Sequence, residues 1–262
     1  MILNAISRRI RASFSDAAAQ YEALASLHKE IGRELSRKVI DNEGVDRILD
    51  VGMGTGWLTN RLGFYLPEAQ IVGLDFASGM LQEAQKKWAE FTVVQADARV
   101  LPFKPGSFDV LVSNLAYQWI EDLPAALRGN RDILRDGGKI YITLFGYDTF
   151  GEMFRSLEET APAGRQVRAF RRLPRLEDVT RYAGEAGFSE IQISEEIIKV
   201  HFPDLLALLR WTKEIGANVL NPEVALGKEW LGRAGDYYRR HFTDRFGVTA
   251  TFCVIWLEGT RR

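Results

Sequence analysis

Apolar positions recur along this chain in two rhythms. From Ala17 to Ile40, the residues Tyr21, Leu24, Leu27, Ile31, Leu35 and Val39 return at steps of three and four, one buried face spread over one or two helices. Phe14-Ser15-Asp16 precedes that run, and Ser15 or Asp16 is the predicted helix cap; residues 1–12 read as loosely helical or poorly ordered. After the turn Asp41-Asn42-Glu43-Gly44 the rhythm changes. Short apolar runs at 47–51, 70–74, 91–95, 108–114 and 139–145 read as strands. Helical patterns at 57–66 and 78–88 follow the first two. Another is capped by Asp122 and closes at Asp136-Gly137-Gly138.

Strands alternating with helices predict an α/β fold with a doubly wound, mostly parallel sheet. Beyond Phe145 the alternation loosens. Helical patterns at 148–159, 176–186, 203–215 and 222–242 surround a sixth strand at 189–201, and a final strand at 247–258 runs antiparallel. The expectation is one domain with a seven-stranded sheet. Residues 1–44 form a helical cover, 47–145 a ligand-binding core, and 146–262 hold substrate-side insertions, lid helices and the last strands.

The candidate chemistry sits where the first strand ends. Asp50-Val51-Gly52-Met53-Gly54-Thr55-Gly56 is a strand end, a turn with glycines at alternate positions and the start of a helix, the opening of a nucleotide-binding unit. The acid two residues before the first glycine decides the ligand. Asp50 would repel a pyrophosphate and attract a cation. S-adenosylmethionine (SAM), with its ammonium and sulfonium, suits it better than a dinucleotide. Asp75, ending the second strand, is placed to bond a ribose diol. Asp97 follows the third strand and Asn114 ends the fourth, so four polar residues fall at the strand ends where such sheets bind ligands.

Composition changes this picture little. The chain has 262 residues, with 34 Lys and Arg against 35 Asp and Glu, so no global field draws it to nucleic acid or membrane. No apolar stretch reaches the ~20 residues that span a bilayer, and a cytoplasmic location is the expectation. The single cysteine, Cys253, reads as a buried small residue, and three histidines without ligand spacing predict no metal site. Arg165, Arg168, Arg171, Arg172 and Arg175 crowd into eleven residues. Arg165, Arg168 and Arg172 would share one face if that segment were helical.

On these motifs residues 47–145 resemble the class I, Rossmann-like SAM-dependent methyltransferases. Four further stretches resemble the malonyl-acyl-carrier-protein O-methyltransferases of biotin synthesis: Phe14-Ser15-x-Ala17-Ala18-x-x-Tyr21, Ser113-Asn114-Leu115-Ala116-x-Gln118-Trp119, Asp122-Leu123-Pro124-x-Ala126-Leu127, and Phe202-Pro203-Asp204 with Lys213-x-x-Gly216-Ala217-Asn218. The Asn-x-x-x-Gln-Trp element is also similar to trans-aconitate methyltransferases. Position 53 is Met where the family usually has Cys. The resemblance implies that Gly52, Gly54 and Gly56 approach the methionine part of SAM and that Asp50 orients its ammonium. It implies ribose on Asp75, adenine against Phe76 and Met80, and the adenine amino group at Asp97 with the Ala98 N–H on the ring. Asn114 and Leu115 are implied beside the sulfonium. Tyr21, Gln118 and Trp119 are candidates to shape the acceptor pocket, and Arg171 or Arg172 to grip a carboxylate. The implied partner is an acyl-carrier protein bearing a malonyl group, or malonyl-coenzyme A, with the arginine face receiving the acidic carrier. A free-acid carboxyl methyltransferase and a SAM-binding protein without transferase activity are the competing readings. A carboxylate acceptor is already anionic at neutral pH, so no general base is expected.

Overall fold

The computed structural model describes residues 5–167, 172–217 and 226–262. Two helices, α1 (Ala5–Leu24) and α2 (Ser26–Ile40), precede the alternating part: β1 (Arg47–Val51), α3 (Trp57–Tyr65), β2 (Gln70–Asp75), α4 (Ser78–Lys87), β3 (Thr92–Gln95), β4 (Phe108–Asn114), α5 (Leu123–Ile133) and β5 (Leu134–Phe145). Then come α6 (Gly151–Glu159), α7 (Leu176–Glu185), β6 (Phe188–Phe202), α8 (Leu205–Glu214), α9 (Lys228–His241), the two-residue β7 (Thr243–Asp244) and β8 (Gly247–Arg261).

The seven expected strands form one path, β3-β2-β1-β4-β5-β8-β6, and β7 is an addition that pairs with the start of β8. The first five strands are parallel, and β8 runs antiparallel between β5 and β6. The chain winds outward from β1 to β3, then returns to lay β4 on the other flank of β1. That reversal opens a crevice beyond the carboxyl ends of β1 and β4, where ligands bind in such sheets.

Alternate strand residues feed two cores, as the pleat requires. Ile48, Val110, Val112, Phe252 and Val254 pack with α2, α3, α6, α8 and α9; Leu49, Leu111, Ile140, Ile142 and Ile255 pack with α5 and α7. With helices on both faces, β1 is buried from Ile48 to Val51, and Asp50 is only 1% exposed.

Two local expectations are corrected. Ser15 and Asp16 do not cap a helix, because α1 already runs through them from Ala5. Ser15 Oγ instead accepts the Gly79 N–H at 3.3 Å, so one helix caps the amino end of another, α4, which has no side-chain cap of its own. Nor does α5 reach Gly137-Gly138. It ends at Ile133, and Leu134 already pairs with Phe108 in the sheet. Burial of Leu134 stops the helix, and the glycines occupy an irregularity in β5, where Gly137 has φ +77°. Asp122 does cap α5, its carboxylate accepting the Ala125 N–H at 2.9 Å.

Gly79 lets α1 lie directly on α4. A Cβ there would fall 2.3 Å from the Ser15 carbonyl oxygen. A methyl at this point favours α4 itself by about 1 kcal/mol, since alanine is the better helix former, but it pushes α1 away. The Gly79→Ala variant should therefore keep the sheet and free the cover. Amides of residues 5–24 are expected to exchange with deuterium at least about tenfold faster while those of β1 and β4 are unchanged; equal protection in both proteins would show that α1 is held elsewhere.

Candidate functional site

The turn after β1 is built on glycine for two different reasons. Gly52, Gly54 and Gly56 all have positive φ, at +75°, +57° and +85°. At Gly52 there is also no room, since a Cβ would meet the Ala116 side chain at 2.3 Å. At Gly54 the nearest atom would be Tyr21, 3.9 Å away, so the space above its Cα is left for a ligand. Met53 points back into the protein. It is buried over Gly73 with Leu81 and Ala84, filling a niche beneath the turn.

Two carboxyls flank this turn. Asp50 accepts a hydrogen bond from Thr59 Oγ1 at 2.7 Å, and burial pushes it up from 3.8 to about 7, the neighbouring Asp75 adding to the rise. Asp75 accepts the Gly54 N–H at 2.9 Å and the Ala77 N–H at 2.8 Å, and burial pushes it up as well. Among the described residues neither acid forms an ion pair with a lysine or arginine. A turn with glycine at every other position, set between two carboxyls that lack an ion pair among the described residues, fits a cationic ligand carrying a ribose.

A cleft of about 850 Å³, its open mouth included, runs from this turn along the strand ends. It brings together Gly52, Gly54, Asp75, Phe76, Met80, Asp97, Ala98, Asn114 and Leu115, and at its mouth Tyr21 and Trp119. Gly56, the amino-terminal cap of α3, lies behind the turn, and Asp50 opens onto an adjoining cleft instead. Asp97 is already gripped by Arg99, whose Nε and terminal nitrogen donate to the two carboxylate oxygens at 3.0 and 2.6 Å. Burial alone would raise Asp97, but these bonds hold it below the usual carboxylate range. The Asn114 side chain is spent on structure: its amide donates to the His28 carbonyl at 2.8 Å and its oxygen accepts from Thr143 Oγ1 at 2.9 Å. Leu115 follows in the left-handed region at φ +54° and lines the cleft.

The acceptor-side residues divide. Tyr21 and Trp119 stand at the donor cleft, where Phe14 meets the Trp119 ring edge-on at 5.4 Å. Gln118 is buried, donates to the Leu115 carbonyl at 2.8 Å, and faces a different cleft together with Arg172. Arg171 and Arg168 lie outside the described residues. Arg165 and Arg172 are exposed on irregular chain, so the described part of this segment forms no helical arginine face. Arg172 and Arg175 instead stack on Tyr147, 5.8 and 3.8 Å from its ring centre.

Sequence reasoning missed Arg99, Phe14, His28 and Lys29. Arg99 carried a signal, two residues from Asp97. His28 carried another, seven residues from Tyr21 on one helical face. The inserted helices stand back from this one cleft. Among the described residues none beyond Ile120 lines the donor cleft, so its cover is α1, and α8 reaches it only by bracing α1.

Residues 48–138 match the family model described as a methyltransferase domain. The chain is 34% identical to the malonyl-[acyl-carrier protein] O-methyltransferase of Geobacter sulfurreducens over 97% of this chain and 98% of that one. It is 38% identical to the enzyme of the same name from Xylella fastidiosa over 79% of this chain and 71% of the relative. Among solved structures, the YcgJ protein of Bacillus subtilis superposes with a TM-score of 0.64 at 16% identity, covering 90% of this chain and 99% of that one, a likeness of fold.

The raised Asp50 gives a stability test. A carboxyl held above its unfolded value binds a proton more tightly when folded. Its stabilising contribution is complete below about 4 and is lost as pH rises towards about 7. Asp50→Asn keeps a polar partner for Thr59 and removes the charge. Its melting temperature is expected to exceed that of the unliganded parent protein at pH 8, the gap narrowing at pH 5.5 and closing near pH 4. A gap independent of pH, followed by calorimetry, would show that Asp50 is ionised at no cost.

Proposed function

This chain belongs to the malonyl-[acyl-carrier protein] O-methyltransferase family, and we propose that it methylates the free carboxylate of a malonyl thioester on acyl-carrier protein, an early step of biotin (pimelate) synthesis. The supporting observation is the near full-length relationship to enzymes of that name, joined to a glycine turn whose flanking acids, Asp50 and Asp75, form no ion pair with a lysine or arginine among the described residues. The single cysteine, buried in β8, suits the reducing cytoplasm in which we place this reaction.

S-adenosylmethionine, when bound, supplies a methyl group on a sulfonium. In this reading Asp50 and the glycine turn hold its ammonium end, Asp75 the ribose hydroxyls, and Phe76, Met80, Asp97 and the Ala98 N–H the adenine. Asn114 and Leu115 shape the passage between donor and acceptor, with Asn114 fixed by its two hydrogen bonds. A malonyl carboxylate reaches that passage beside Tyr21 and Trp119. Burial pushes the Tyr21 hydroxyl well above its ordinary range, so it stays protonated and donates rather than abstracts. No base is needed, because the acceptor arrives ionised. The residues contribute alignment and exclusion of water. The carrier protein, being acidic, is received on the exposed arginines of the connection between α6 and α7 by charge complementarity.

Three measurements test these assignments. Asp75→Ala should weaken binding of S-adenosylhomocysteine by ~1–3 kcal/mol in titration calorimetry, the loss of a partner to buried hydroxyls; unchanged affinity would place the ribose elsewhere. For the acceptor, initial rates on malonyl-carrier protein, malonyl-coenzyme A, free malonate and trans-aconitate should fall in that order. Joint reversal of Arg165, Arg172 and Arg175 to Glu should raise KM for the carrier-bound substrate about tenfold while leaving that for malonyl-coenzyme A within about twofold. Equal rates on free and carrier-bound acids would favour a free-acid methyltransferase.

A further inference from the structure

The sheet ends in an open edge. β6 lies last in the strand path and pairs with β8 on one side, and among the described residues no strand pairs with its other side. It is 15 residues long, whereas β3, at the opposite end of the sheet, has four. A long edge of unpaired N–H and C=O groups is a template for another strand, and proteins either spoil such an edge or use it. The register of β6 on β8 is irregular between Ser189 and Gln192, then unbroken from Gln192 to Phe202, where Pro203 follows. Ile197 is the midpoint of the unbroken stretch and is 52% exposed. Ser194, Glu195 and Glu196 just before it are exposed too, so neither face of the strand is covered there. Glu195 and Lys199 stand two residues to either side of Ile197 and share its face. Both are exposed, and neither forms an ion pair among the described residues.

We infer that β6 is the interface of a homodimer, in which two copies of this chain pair antiparallel, edge to edge, about a two-fold axis through Ile197. A two-fold axis perpendicular to the sheet sets residues equally far from it opposite one another on the same face. Centred on Ile197, it sets Glu195 against Lys199 of the partner subunit and Lys199 against Glu195 of the partner subunit, so two ion pairs form at once around an Ile197–Ile197 contact. On the other face Glu196 meets Ile198, and Glu196 is already engaged by the Trp256 indole at 3.2 Å. Opposite charges directly across a strand pair stabilise it, and like charges destabilise it. The adjacent registers are penalised on that account. An axis through Glu195 or Glu196 opposes two acids, one through Lys199 opposes two lysines, and one through Ile198 sets Ile197 against Lys199. The charges that would spoil an edge against other partners therefore select one register with a second copy. The patch is self-complementary and is consumed in the pairing, so the assembly closes at two copies. The inference is independent of the donor and acceptor readings above.

Sedimentation velocity over a dilution series of the full chain tests this. The parent protein should sediment as a dimer that dissociates on dilution. Lys199→Glu turns both ion pairs into repulsions and should raise the dimer dissociation constant at least about tenfold. Glu195→Lys alone should do the same. The double variant carrying Glu195→Lys and Lys199→Glu restores both pairs with their signs exchanged and should recover most of the lost affinity, an outcome that general damage to the strand cannot produce. Ile197→Lys, which brings two like charges together on the axis, should leave a monomer. Thermal melts at a concentration where every variant is monomeric check that each is folded. A parent protein that is monomeric throughout the series would overturn the inference. So would a dimer indifferent to Lys199→Glu and Ile197→Lys, which would use another surface, or a charge exchange that rescues nothing.

Discussion

Everything at this site follows from two neighbouring carboxyls, Asp50 buried and Asp75 half-buried, with no ion pair to a lysine or arginine among the described residues. Asp50 and Asp75 end adjacent parallel strands whose register sets Asp50 against Gly73 and Val51 against Leu74, so the sheet itself fixes their separation. A protein ordinarily buries an acid only beside a lysine, an arginine or a metal. Here the compensation comes from hydrogen bonds alone: the Thr59 hydroxyl and backbone for Asp50, and the backbone of Ala77, Gly54 and Phe76 for Asp75. The remainder is left for a ligand to supply. Such an arrangement lowers the stability of the free protein and raises its affinity for a cation by the same interaction. The central position of β1, helix-covered on both faces, is what makes the sheet rigid enough to sustain it.

The reaction explains what the site lacks. Where an acceptor arrives ionised and the donor carries its own leaving group, catalysis is a matter of approach and alignment. Two ionisable side chains of α1 and α2 are accordingly held out of play. Tyr21 stays protonated and His28 stays neutral, both because of burial. Polar side chains that look catalytic in the sequence serve as fixtures: Asn114 ties α2 to β4 and β5, and Gln118 folds back on the Leu115 carbonyl.

Most of the central fold was legible because its signals are local. A buried parallel strand reads as a short apolar run, and a turn that must reach positive φ reads as glycine. Asp50, Asp75, Asp97 and Asn114 stand out because strand ends are where such sheets bind ligands, and the structure gathers the last three on one cleft with Asp50 on its neighbour. What could not be read was anything decided between distant elements. Ser15-Asp16 has the sequence of a cap, and Ser15 is one, but for α4, 64 residues away. Gly137-Gly138 looks like a helix end, yet the pairing of Leu134 with Phe108 had already ended the helix. His28 looked like one more position on an amphipathic helix. Only the packing of α2 against Asn114 turns its ring into the wall of a cleft.

The same distinction bears on the carboxyl-terminal third. Its described residues contribute nothing to the lining of the donor cleft, but they decide whether that cleft is covered. The Gln20 side chain donates to the Glu214 carbonyl, and the Trp211 indole donates to the Leu24 carbonyl where α1 meets α2. Gly216, at φ +82°, lies so close to Phe14 that a Cβ would stand 2.9 Å from its ring. The cover is therefore clamped from two sides: by Ser15 and Gly79 on the core, and by α8 and Gly216 on the insertion. A displacement of α8 by about an ångström cannot be absorbed at Phe14 without moving Trp119, its ring partner at the cleft mouth. The insertion is thus joined to the cleft through packing alone.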